Sequence, residues 1–266
     1  MEIKTLTRTQ NLLKMNIKEL FSDKPEDLLN IYVTAGYPQL DSLKEIIPAL
    51  SADKVDIIEV GIPYSDPLSD GPTIQKSNMQ ALDNGITLEL IFEQLSDIDT
   101  EVPLVLMGYF NSLLQFGIEK FAQYCESVGV SGLIIPDLPI EIYLRDYKEI
   151  FDKHRLSNIF LVTPNTTEDR LQMIDKHSSS FIYAVSSSST TGNNKEVNSA
   201  ENYLQKLNSK KLKTPFLVGF NIRNRKNFEF VNQYASGGII GSAFINHISQ
   251  NNNLKENCIS FVNSIK

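Results

Sequence analysis

The chain has 266 residues, 41% of them hydrophobic and 21% charged, which is enough apolar material for a full core and too much for a disordered chain. Lys and Arg total 25 against 32 Asp and Glu, and the resulting formal charge of −7 argues against a surface built to track nucleic-acid phosphates. Two cysteines, Cys125 and Cys258, and three scattered histidines, His154, His177 and His247, are too few for a disulfide scaffold or a zinc site.

The N-terminal stretch Met1–Lys14 is polar and mixed in charge, without the apolar run of a secretory signal, and it reads as a poorly ordered extension. Nowhere does the chain approach the ~18 consecutive apolar residues of a membrane helix, and the sparse cysteines lead to the expectation of a cytoplasmic, reducing setting. From residue 15 to 266 no linker or shift in composition divides the chain, which predicts one catalytic domain.

Short β-rich apolar runs alternate with helical-period segments throughout. Strands are expected at Asn30–Thr34, Asp56–Val60, Pro103–Met107, Gly132–Pro136, Asn158–Thr163, Ser180–Val185, Pro215–Gly219 and Gly238–Gly241. Helices are expected between them, among others at Asp41–Leu50, Ile118–Val128, Glu141–His154, Thr167–His177, Asn198–Leu212 and Arg225–Tyr234. The strands are apolar almost throughout instead of alternating, as when both faces of a parallel sheet are covered. Eight such repeats predict a single α/β domain, a (β/α)₈ TIM barrel of eight parallel strands. A doubly wound open sheet is the alternative, but no Gly-x-Gly-x-x-Gly follows any strand.

A barrel places its chemistry at the carboxyl ends of its strands, so polar residues there are the candidates. Glu59 shares parity with Val55 and Ile57 and points the way they do. A carboxylate inside an apolar strand is costly unless hydrogen-bonded or functional, and desolvation raises its pKa toward the range of a neutral-pH acid–base catalyst. The following loop carries Pro63, Pro67 and Pro72 with Gly61 and Gly71, so it is long yet pre-shaped. Asp70 lies eleven residues beyond Glu59, about 36 Å if extended, so the two carboxylates meet only if the loop folds back over the barrel mouth. Structural readings stand beside these: Glu59 as a satisfied interior carboxylate, Asp70 as a turn or helix-capping residue before Pro72.

The run Ile58-Glu59-Val60-Gly61-Ile62-Pro63-Tyr64-Ser65-Asp66-Pro67-Leu68-Ser69-Asp70-Gly71-Pro72-Thr73-Ile74-Gln75 resembles the signature of the tryptophan synthase alpha subunit family, with Ser69 in place of another small residue. Tyr32-Val33-Thr34-Ala35-Gly36-Tyr37-Pro38, Met107-Gly108-Tyr109-Phe110-Asn111 and Pro136-Asp137-Leu138-Pro139 resemble its first, third and fourth strand ends. The resemblance implies that Glu59 and Asp70 are the catalytic carboxylates of a lyase. That lyase cleaves indole-3-glycerol phosphate to indole and glyceraldehyde 3-phosphate by a reverse aldol, without a cofactor. It also implies a pyridoxal-phosphate-dependent beta subunit as partner, in an alpha2-beta2 heterotetramer to which the indole is passed.

Four aromatics at strand ends, Tyr32, Tyr109, Tyr183 and Phe220, read either as core or as the walls of a flat apolar pocket, which the resemblance assigns to the indole. Gly238-Ile239-Ile240-Gly241-Ser242-Ala243 reads as an ordinary strand-to-helix turn or as a phosphate cradle in which Gly241 and Ser242 offer backbone N–H groups. The resemblance adds Gly192 to that cradle and Thr191 to a mobile lid. Two departures stand out. Asn221 replaces a glycine of the usual Gly-Phe-Gly-Ile and brings a side chain beside the phosphate, where tolerance of left-handed backbone angles would preserve the loop. The Ser186–Thr191 run lacks the arginine many relatives carry there.

Competing readings are a glycosidase, which the absence of tryptophan and of a seventh-strand carboxylate disfavours, a phosphosugar isomerase on the same barrel, and a non-catalytic activating subunit.

Overall fold

The computed structural model describes residues 16–52, 54–67, 70–185, 194–219, 221–249 and 253–266. The expected extension 1–14 lies outside these residues. The strands are β1 (Leu28–Thr34), β2 (Ile57–Gly61), β3 (Leu104–Met107), β4 (Val130–Ile134), β5 (Ser157–Ile159), β6 (Leu161–Val162), β7 (Ile182–Val185), β8 (Phe216–Gly219) and β9 (Gly237–Ile240). All neighbouring pairs are parallel, in the order β5-β4-β3-β2-β1-β9-β8-β7-β6.

The two ends of that order, β5 and β6, are consecutive in the chain and separated by Phe160 alone. They are therefore two pieces of one barrel strand. The Phe160 carbonyl accepts the Tyr183 N–H at 2.9 Å, carrying the ladder across the break and bringing the ring nearly to closure. The eight expected strand positions thus appear as nine segments. Every residue of β1 and β2 is buried, as a sheet covered on both faces requires.

Parity along the strands separates an inner from an outer core. Leu28, Ile57, Val105, Ile134, Ile159, Phe181, Leu217 and Ile239 form one apolar cluster inside the barrel, joined from below by Ile17 and Leu20. These last two belong to the helix Ile17–Asp23, which closes the barrel floor; Phe21 on the same face packs on Phe181 with ring centroids 5.5 Å apart. Asn16 starts this helix with a reciprocal cap, its side chain accepting the Lys18 N–H at 3.0 Å while the Glu19 carboxylate accepts the Asn16 N–H at 3.3 Å. The outer core lies between the strands and the surrounding helices.

Helices occupy Leu43–Ser51, Pro72–Asp83, Leu88–Ser96, Ile118–Val128, Glu168–His177, Asn194–Ser209 and Arg225–Asn232, among others. The expected helix Glu141–His154 is interrupted: Tyr143–Tyr147 forms a π-helical turn between Ile140–Ile142 and Lys148–Lys153. Asp56, just before β2, binds three parts of the chain. Its carboxylate accepts Lys24 Nζ at 2.6 Å, the Leu29 N–H at 2.8 Å and Lys266 Nζ at 3.1 Å, fastening the C-terminal residue beneath the barrel.

Candidate active site

The upper interior of the barrel is built from alternating large and absent side chains. Tyr32 on β1 is level with Glu59 on β2, and Tyr183 on β7 is level with Leu161 and Leu217. Each tyrosine lies across a glycine of the neighbouring strand. A Cβ on Gly61 would sit 2.1 Å from the Tyr32 hydroxyl, and one on Gly219 would sit 2.4 Å from the Tyr183 ring. The glycines are therefore what lets two phenols lie in the mouth.

Glu59 is 1% exposed and its Oε2 accepts Asn30 Nδ2 at 3.0 Å. Burial is the chief cause that lifts its pKa to about 8; the Asn30 hydrogen bond works against that rise and the charge of Asp70 adds to it. Asp70 stands at the far end of the second-strand loop, before the helix Pro72–Asp83. Burial pushes its pKa up, opposed by hydrogen bonds from Asn78 and Tyr109. Asn78 Nδ2 donates to Asp70 Oδ2 at 3.1 Å from within the helix. Gly71, not Asp70, occupies the capping position, and no side chain caps that helix. The capping reading of Asp70 is thus excluded: its carboxylate turns back along the helix to Asn78 and Tyr109.

The loop does fold back. Tyr183 and Tyr32 both have their phenol pKa raised, first by desolvation and then by the charges of Glu59 and Asp70, so the four groups share one electrostatic field. Tyr109, at the third-strand end, joins them through Asp70. Its ring stacks on Tyr64 of the second-strand loop at 5.1 Å and 26°, and Asn111 Nδ2 donates to the Tyr64 hydroxyl at 3.4 Å. A cleft of about 320 Å³ opens on the flank of this loop beside Ile62, Pro63, Leu88 and Phe116, but neither carboxylate lines it.

At the opposite rim, Gly241 precedes the helix Ser242–Ile248 with φ −114°, and a Cβ there would meet only ordinary contacts at 3.5 Å. Neither backbone strain nor packing accounts for that glycine. The register Gly219↔Ile239 carries the loop containing Asn221 toward Gly241. Asn221 is exposed, its Oδ1 accepts Arg223 Nε at 2.7 Å, and its backbone is not in the left-handed region. The expected reliance on left-handed tolerance therefore falls away. Phe220, Gly192 and Thr191 lie outside the described residues.

Asn30 and Asn78, the amides that hold the two carboxylates, were not among the residues singled out from sequence. Asn30 carried a legible signal, since it shares the inward parity of Leu28 and Tyr32 in an otherwise apolar strand.

A parallel barrel whose mouth gathers one buried and one half-buried carboxyl group, both with raised pKa values, beside three tyrosines has the make-up of an acid–base barrel enzyme. Its family follows from comparison: the model for the tryptophan synthase alpha chain matches residues 19–265. Tryptophan synthase alpha chains of Flavobacterium psychrophilum and Christiangramia forsetii are 49% identical over 227 residues and 48% over 242, covering 84% and 90% of this chain and 90% and 94% of theirs. The solved alpha subunit from Legionella pneumophila superposes with a TM-score of 0.84 at 29% identity, covering 94% of this chain and 97% of that one. A chain of the tryptophan synthase complex from Pyrococcus furiosus gives 0.80 at 30%, covering 90% and 98%. The chain belongs to the tryptophan synthase alpha chain family, a lyase family that cleaves indole-3-glycerol phosphate.

Proposed function

We propose that the family's reverse aldol runs in this barrel mouth with Glu59 and Asp70 as its acid–base pair. The reaction puts a proton on indole C3, breaks the bond from C3 to the glycerol carbon, and removes the proton from the hydroxyl on that carbon to leave an aldehyde. Glu59, still protonated near neutral pH with a pKa of about 8, gives its proton to C3. As a carboxylate it then takes the hydroxyl proton, so it ends the cycle as it began. Asp70, ionised, faces the positive charge that C3 protonation creates on the indole nitrogen.

Tyr32, Tyr109 and Tyr183 wall the slot for the flat ring, and Phe220 joins them on the strength of the resemblance. The unexplained glycine at 241 leaves room for a phosphate oxygen against the N–H groups of Gly241 and Ser242. Asn221 borders that end, and Gly192 and the lid residue Thr191 are carried over from the family. The pyridoxal-phosphate beta subunit sits over the mouth in an alpha2-beta2 assembly, against the loop bearing Pro63, Tyr64 and Pro67. The Tyr64–Tyr109 stack ties that loop to the third-strand end, so a partner that orders one orders the other. Among the described residues no helix is long and apolar enough to cross a membrane, and the buried free thiols Cys125 and Cys258 suit the cytoplasm.

The observation that carries this reading is a fully buried carboxyl, Glu59, hydrogen-bonded to Asn30 at the barrel mouth and lying within the field of Asp70. Indole release by purified Glu59→Gln protein tests it, with a loss of about 10²–10⁴ in turnover expected. Near-normal release overturns the assignment, and no indole release from the wild type favours a different phosphosugar reaction.

A further inference from the structure

Asn30 is a buried amide in the barrel interior, set between apolar register neighbours. It is 0% exposed, its register neighbours are Ile57 and Ile239, and it lies one inward position below Tyr32. An amide there is costly to desolvate unless its groups are engaged. Its Nδ2 donates to Glu59 Oε2 at 3.0 Å, yet its Oδ1 is buried with no hydrogen-bond partner. Half of a buried amide is therefore used and half is idle. Among the described residues Asn30 is the side chain shown hydrogen-bonded to the Glu59 carboxyl group.

An N–H donor serves both forms of Glu59: Oε2 accepts it as one oxygen of the carboxylate and as the carbonyl oxygen of an acid whose proton sits on Oε1. From this geometry we infer that Asn30 is the positioning residue of Glu59: its N–H holds Oε2 in both protonation states and leaves Oε1 to carry the proton that is given to the substrate. The inference rests on the proton cycle proposed for Glu59 and assigns the group that sets its ionisation.

The direction of the effect follows from bond strengths. A hydrogen bond to a charged oxygen is roughly twice as strong as one between neutral groups, so the amide favours the ionised form on balance. Removing it raises the Glu59 pKa and makes the carboxylic acid a weaker proton donor. The other titratable groups facing Glu59 are Tyr32 on β1, Tyr183 on β7 and Asp70 in the second-strand loop; its β3 neighbour is the apolar Val105. The two phenols are shifted upward and stay neutral over the working range, which leaves Asp70 and Asn30 to tune Glu59.

The experiment substitutes Asn30→Leu, similar in volume and without polar atoms, and follows the Glu59 carboxyl by carbon-13 NMR alongside the pH profile of kcat for indole release. Both the Glu59 titration and the alkaline fall of kcat are expected to move up by about one pH unit. The plateau should drop several-fold, with KM little changed. Asn30→Asp serves as the second variant: an added carboxyl beside Glu59 should move its titration up further. An unmoved Glu59 titration in a folded Asn30→Leu protein overturns the inference, even if kcat falls. A titration that moves while the kcat profile stays fixed upholds the hold of Asn30 on Glu59 and overturns the role given to Glu59. If Asn30→Leu fails to fold, Asn30→Asp decides: an unshifted Glu59 there overturns the inference.

Discussion

The Tyr32 hydroxyl lies so near Gly61 that a methyl group on residue 61 would sit 2.1 Å from its oxygen. Two strands thus share one space, and the side chain of one exists because the other has none. Replacing Gly61 by Ala forces the Tyr32 ring off its seat, and overpacking of this kind costs about 1–3 kcal/mol. The expected result is a lower denaturant midpoint together with a loss of indole release. Gly71→Ala is the stability control, because nothing lies within 4 Å of the added atom and φ there is −73°. Equal stability of the Gly61→Ala protein and the wild type would show that the ring moves freely.

Glu59 weakens the fold it serves. Its pKa is about 8 in the folded chain and near 4.5 when unfolded, so between these values the folded state binds the extra proton. Stability therefore falls as pH rises through that window and levels off above pH 8. Glu59→Gln keeps the shape and the Asn30 contact without the charge. Its melting temperature should match the wild type near pH 4.5 and exceed it increasingly up to pH 8, a difference on the order of a few kcal/mol. Parallel curves across pH 5 to 8 would mean that Glu59 ionises in the fold as it does in water.

The proposed cycle needs Asp70 as an anion, and the Asn78 hydrogen bond favours that form. The Asn78 donor, at 3.1 Å, opposes the rise that burial imposes on the Asp70 pKa. Asn78→Leu removes that opposition, so the acid limb of kcat/KM should shift upward by about one pH unit, with activity recovering at higher pH. An acid limb that stays in place while the melting temperature drops would leave Asn78 as packing alone.

Much of this architecture is written in local pattern. Apolar runs mark all eight barrel strands because both sheet faces are covered, and inward parity identifies Glu59 before any coordinates. What local pattern misses are relations between distant segments. Phe160 breaks the fifth strand at the junction of two ladders, a property of the ring and not of the run Asn158–Thr163. The π-turn at Tyr143–Tyr147 leaves the helical period readable on both sides and so hides within it. Asp70 before Gly71-Pro72 looks like a cap, and only the folded loop shows its carboxylate turned toward Asn78 and Tyr109. Asn221 looked like a residue tolerated for its backbone; its side chain is instead engaged with Arg223. Asn30 was within reach of parity, but a neutral amide carries no chemistry of its own to draw notice.

The helix Ile17–Asp23, with Ile17, Leu20 and Phe21 seated against the inner cluster, stops the barrel at its lower end. A small uncharged product released above that stopper has one direction of escape. Traffic through the proposed site is consequently single-ended, and whatever covers the open end collects the output.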